Sequence, residues 1–180
     1  MVSDRARQWP SSLAGFLGFA VTAAVVLSCG DPARSVPAAE LGPEVPGVEE
    51  GPLHRAGQPC LVCHDGSRSR PFALAGTVYL TPEADDPAVG AAVRWVDAEG
   101  RRGEARTNCA GNFFVLPEDF TPAYPLWVSV AVGSLEVAMD SPINGDGSCA
   151  HCHGLSPGPS STERVYAFPI APSPPPPGCP

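Results

Sequence analysis

Ala91-Ala92-Val93-Arg94-Trp95-Val96-Asp97-Ala98-Glu99-Gly100-Arg101-Arg102-Gly103-Glu104-Ala105-Arg106-Thr107 reads as a β-hairpin. Ala91 to Val96 and Gly103 to Thr107 are short runs of strand length, and Asp97-Ala98-Glu99-Gly100 supplies residues that turn a chain sharply. The same texture continues on both sides. Gly76 to Leu80, Phe113 to Leu116, Leu126 to Val132 and Leu135 to Met139 read as further strands, with Asn108 to Asn112 and Gly133-Ser134 as turns. Helical spacing is absent between Ala73 and Asp140, so residues 73–140 are expected to form a small all-β, antiparallel sandwich of about six strands.

Ala75-Gly76-Thr77-Val78, Pro87 to Val93, Asp97 to Gly100 and Thr107 to Phe113 together resemble the carboxypeptidase regulatory-like, transthyretin-like β-sandwich. In that family glycines open turns and a Gly-Asn-Phe returns the chain to a core strand, which the resemblance assigns to Gly111, Asn112 and Phe113. Cys109 departs from the usual turn residue. Such sandwiches carry many roles, so the resemblance speaks to fold and leaves function to the flanking sequence.

The flanks carry the chemistry. Cys60-Leu61-Val62-Cys63-His64 and Cys149-Ala150-His151-Cys152-His153 both read C-x-x-C-H, the attachment signature of c-type haem. Two cysteines three positions apart reach the two vinyl groups on one porphyrin edge, and the next residue places an imidazole under the iron. Cys60, Cys63, Cys149 and Cys152 are therefore the candidate thioether residues, and His64 and His153 the proximal iron ligands of two covalently attached haems. Zinc, a redox dithiol and structural disulfides are the competing readings. A zinc ribbon separates its cysteine pairs by about 15 to 20 residues, whereas 85 residues lie between Cys63 and Cys149. A zinc site assembled by the tertiary fold stays open. A thioredoxin-like dithiol asks for a βαβ context that this chain lacks, and disulfides alone leave both histidines unexplained.

Three strong ligands remain for the sixth iron positions: His54, Met139 and His151. His54 lies six residues before Cys60. Met139 ends the last expected strand, and His151 sits inside its own attachment loop. His/His ligation lowers a potential relative to His/Met, and an open position admits small ligands. Cys109 and Cys179 are left over, a candidate disulfide in an oxidising compartment.

Met1 to Pro10 carries Arg5 and Arg7, and Leu13 to Leu27 is an apolar run shorter than a membrane span of about 20 residues, so residues 1–28 read as a signal peptide. Val26-Leu27-Ser28-Cys29-Gly30 resembles a bacterial lipobox, with Leu27 standing where a small residue is usual. The resemblance makes Cys29 the lipidation site; a transmembrane anchor or an ordinary cleaved signal is the alternative. Residues 29–59, rich in Pro, Gly, Ala and Glu, read as a flexible linker, and residues 154–180 as a Pro-rich tail without structure. Without the leader, the chain keeps nine Arg, no Lys and eighteen acidic residues. That balance excludes nucleic acid as a partner and favours a basic one.

The chain is thus expected to be an exported, lipid-anchored, dihaem c-type cytochrome-like protein, similar to multihaem proteins that join a regulatory-like sandwich to C-x-x-C-H segments. The expected site is the periplasmic or cell-surface face of a bacterial membrane. The expected work is electron transfer with a redox protein partner, more a carrier than a catalyst. The alternative is an envelope binding module with zinc or disulfide clamps; a haem enzyme lacks a supporting His, Arg or Tyr cluster. An even number of antiparallel strands between the motifs predicts that both lie together.

Overall fold

The computed structural model describes residues 38–44, 46–154, 162–172 and 179, all within the compact unit Pro32–Pro180. The leader, Cys29 and residues 155–161 lie outside them. No helix among the described residues is long and apolar enough to cross a membrane.

Among the described residues six strands form two antiparallel sheets. They are β1 (Leu74–Thr77), β2 (Ala92–Val96), β3 (Arg102–Arg106), β4 (Asn112–Val115), β5 (Trp127–Val132) and β6 (Leu135–Ala138). One sheet has the order β1-β4 and the other β3-β2-β5-β6. Alternation decides which side chains face in: Val93 and Trp95 of β2 are buried, while Arg94 between them is exposed and pairs with Glu104 on the adjacent β3 and with Glu136 on β6, beyond β5. Leu74 and Val78 from the first sheet meet Val93, Trp95, Leu126 and Val130 from the second in one apolar core, with Phe113 and Val115 of β4 completing it. The expectation of an all-β fold built from antiparallel sheets holds.

The β2–β3 hairpin is locked by Asp97, whose buried carboxylate accepts from the N–H groups of Glu99, Arg101 and Ala123 and from the Arg101 guanidinium at 2.7 Å. Burial alone would raise its pKa. The N–H donors of Ala123 and Arg101, then the Arg101 side chain, outweigh that and hold it below the usual carboxylate value. A carboxylate depressed by folding stabilises the fold above its unfolded pKa of about 3.9 and loses that contribution as the pH falls through the lower folded value. The urea midpoint is expected to drop on acidification below about pH 4. Asp97→Asn should lower the midpoint at pH 7 and flatten this acid limb; an unchanged acid limb in the variant would assign the effect to other carboxylates.

The structure differs from the sequence expectation at both flanks. Residues 51–58, expected to be flexible linker, are docked: the Gly57 N–H donates to Thr77 Oγ1 at 2.7 Å, and Asn112 Nδ2 donates to the His54 carbonyl at 3.0 Å. Residues 162–168, expected to be unstructured tail, run beside the chain that continues β1. The Tyr79 N–H donates to the Val165 carbonyl, and the Ala167 and Phe168 N–H groups donate to Tyr79 and Leu80. The physical reason is apolar: Ala167 is buried, and Val165 and Phe168 lie against the core. Cys109 and Cys179 are disulfide-bonded, with a Cα–Cα distance of 5.5 Å, so residue 179 is tied to the β3–β4 turn.

Candidate functional site

Both C-x-x-C-H motifs are brought against β1. In the first, Cys60–Val62 is one turn of 3-10 helix that closes with the His64 N–H donating to the Cys60 carbonyl at 2.9 Å. In the second, helix α1 (Cys149–Cys152) closes with the His153 N–H donating to the Cys149 carbonyl at 2.8 Å. Each cysteine pair therefore lies within a single helical turn, with its histidine just beyond.

β1 holds them from different directions. Its edge is paired by the chain entering α1, where the Ala75 N–H donates to the Gly147 carbonyl at 3.0 Å. The chain returns to the same edge at Val165, so the second motif is an excursion anchored at both ends to one strand. Gly76 explains how closely it approaches: a Cβ there would lie 2.6 Å from Cys149 Cβ and 2.7 Å from its sulfur. The neighbouring Thr77, facing the other way, takes the Gly57 N–H three residues before Cys60. Every residue of β1 is buried.

The imidazoles are held alike. Nδ1 of His64 lies 2.9 Å from the Arg70 carbonyl oxygen, and Nδ1 of His153 lies 2.7 Å from the Glu163 carbonyl oxygen and 2.9 Å from Thr162 Oγ1. A carbonyl only accepts, so Nδ1 carries the proton and the lone pair of each neutral ring is left at Nε2. That is the arrangement by which proteins orient histidine ligands of metals. His64 is further fixed by a face-to-face stack on Phe72, with ring centres 3.9 Å apart, itself stacked on Phe114 at 4.8 Å.

Two of the four sulfurs are buried enough for their ionisation to be opposed. Burial, with an added contribution from Cys60, pushes the Cys149 thiol up to about 12. Burial also takes Cys60 up to about 11, its backbone hydrogen bond opposing and Cys63 adding. Burial thus favours the neutral form of these two sulfurs. Cys149 borders a cavity of about 10 Å³ lined by Leu74, Trp95 and Phe113.

The three remaining ligand candidates fall in different places. His54 stands beside His64, ring centres 5.9 Å apart and planes 20° apart. Its Nδ1 rests against the backbone of Gly51, whose carbonyl is the closer partner. His151 is turned outward, its side chain 66% exposed and its Nδ1 2.8 Å from Asp146 Oδ2. Met139 lies one residue past β6, at the edge of the other sheet, where its N–H continues the pairing with Val128. Among the described residues no three His, Cys, Asp or Glu side chains converge to hold a metal ion.

Sequence reasoning missed the residues that support these motifs: Gly76, Thr77, Asn108 and Asn112. Thr77 Oγ1 donates to Asn112 Oδ1 at 2.6 Å, while Asn108 and Asn112 donate to the Pro52 carbonyl, so one hydrogen-bond network, buried at Thr77 and reaching the surface at Asn108, carries the loop that bears His54. The arginines nearest the motifs have protein partners: Arg70 pairs with Glu118, Arg68 donates to the Val62 carbonyl, and Arg164 lies over the Tyr79 ring while bonding Asp85. No protein-family model matches the chain, and neither a curated protein nor a solved structure matches it.

Proposed function

We propose that the chain is an exported protein of the c-type cytochrome class, holding two haems. More particularly, it is an electron-transfer lipoprotein of a bacterial envelope, anchored through Cys29. The observation that carries the reading is the matched pair of imidazoles, each following a C-x-x-C turn, each with Nδ1 spent on a backbone carbonyl and Nε2 left for iron.

The residues fit the group. Cys60 and Cys63 would hold one haem and Cys149 and Cys152 the other by thioether bonds, with His64 and His153 as proximal ligands. A thioether is neutral, which suits sulfurs whose burial opposes ionisation; zinc would take thiolates, and would need four converging side chains. Haem supplies four nitrogen ligands of its own, and when bound it supplies a one-electron iron couple. The protein's part is to fix both imidazoles beside one buried strand, an arrangement suited to passing electrons between neighbouring centres and onward to a redox partner. The acidic surface favours a basic protein as that partner.

The test is a pyridine haemochrome assay with intact mass on protein produced beside a cytochrome c maturation system. Two thioether-linked haems per chain are expected. None, with zinc or four free thiols in their place, would overturn the proposal and make the sandwich itself the functional part.

A further inference from the structure

We infer that the two haem positions are chemically unlike: His54 completes the first as its second axial ligand, while the second keeps an open sixth position that binds a small exogenous ligand such as carbon monoxide or nitric oxide. The inference rests on the dihaem reading above and assigns what that reading leaves open.

The ligand inventory is short. The chain has four histidines, no lysine, and one methionine other than Met1. With His64 and His153 as proximal ligands, only His54, His151 and Met139 remain. The spacing between His54 and His64 suits a second ligand to the first iron. Two imidazoles sharing a metal through Nε2 atoms, each bonded at about 2 Å, have ring centres about 6 Å apart, and His54 and His64 are 5.9 Å apart. Its loop is held in place from three sides. Asn112 grips the His54 carbonyl, Asn108 and Asn112 grip Pro52, and the next residue, Arg55, pairs with Glu44 at 3.2 Å and donates to the Gly42 carbonyl. A ligand carried on a loop fixed this well costs little further ordering when it binds.

The second position has no equivalent. His151 belongs to the attachment helix itself, two residues before His153, and is held outward by Asp146. Asp146 also holds the approach to that helix, its Oδ1 accepting from the Ser148 N–H at 2.8 Å while its Oδ2 faces His151. Met139 lies just past β6 at an edge of the other sheet, where its N–H is bonded to the Val128 carbonyl. Residues 155–161, which follow His153 closely, are Leu, Ser, Pro and Gly only, none of them a strong iron ligand. The second iron is therefore left to water or to a ligand from solution.

The experiment begins with the haem count by pyridine haemochrome, then titrates dithionite-reduced full-length protein with carbon monoxide and records the Soret difference spectrum. One carbon monoxide per two haems is expected, rising to two in His54→Ala and staying at one in His151→Ala. Ferric protein should show one low-spin and one high-spin signal by electron paramagnetic resonance, a measurement that needs no variant. Zero or two carbon monoxide per wild-type chain, two low-spin signals, or a folded His54→Ala variant that still binds one would each overturn the inference. A haem count of zero would instead remove the dihaem reading beneath it.

Discussion

Gly76→Ala is expected to lift the second motif off β1, lowering stability by about 1–3 kcal/mol, the usual range for an overfilled core site, and reducing attachment at Cys149. The added Cβ would meet Cys149 Cβ at 2.6 Å, its sulfur at 2.7 Å and the Phe113 ring at 3.2 Å. Cys149 has little room to give, because the chain just before it is hydrogen-bonded to Ala75 and enters the helix without slack. Phe113 is equally constrained as part of the core. Gly145→Ala is the matched control, since its Cβ would meet nothing within 4 Å, and should fall within about 0.5 kcal/mol of the parent. Urea denaturation of the haem-free chain reads the packing term alone, and intact mass after maturation reads attachment. Parent-like midpoints and two haems in Gly76→Ala would show that the strand and helix are free to separate.

The same glycine shows what the sequence carries and what it hides. Gly76 reads as part of a strand and does lie in β1, yet that reading does not mark it as the point where a cysteine 73 positions away approaches. Nothing local announces such a contact. Patterns that depend on neighbours were legible: Asp97 to Gly100 turns the chain, Gly111 adopts a φ of +74° in the turn before Phe113, and Gly133 adopts +60° between β5 and β6. All six strands fall within three residues of the segments that alternation and turn chemistry marked. The largest shift, at β1, has a cause. Past Thr77 the ladder with β4 ends: the Val78 N–H donates to the Gly111 carbonyl and the Leu80 N–H to the Asp86 carbonyl, while residues 165–168 bond Tyr79 and Leu80.

The candidate site divides along the same line. Cys60, Cys63, His64, Cys149, Cys152 and His153 were readable because their spacing is the chemistry. The parity of the strands predicts both motifs at one end of the sandwich; what brings them near one another is that each is held against β1. Their supports were not readable, because Thr77, Asn112 and the Pro52 carbonyl come from separate parts of the chain and meet only after folding. Val165 to Phe168 were hidden by the prolines around them; composition averaged over a window conceals four residues that bury one face.

Those distant supports meet at the Cys109–Cys179 bond, whose removal is the second large effect expected. Its sequence separation of 70 corresponds to a loop-closure entropy of about 4 kcal/mol in the unfolded chain, and measured losses for native disulfides run from about 2 to 5 kcal/mol. Cys109 sits in the turn whose Asn108 and Asn112 hold the His54 loop, so the bond should matter locally as well as globally. Cys109→Ser and Cys179→Ser are each expected to lower the urea midpoint by the same amount, and the double variant no further, because either change already opens the loop. Alkylation of the parent should label these two cysteines only after reduction. If reduction leaves the midpoint unchanged, the turn is held by Asn108 and Asn112 alone. If instead the single variants lose stability and also gain carbon monoxide binding at the first haem, the disulfide is acting through the His54 loop, and the order of that loop sets the ligation of the first iron.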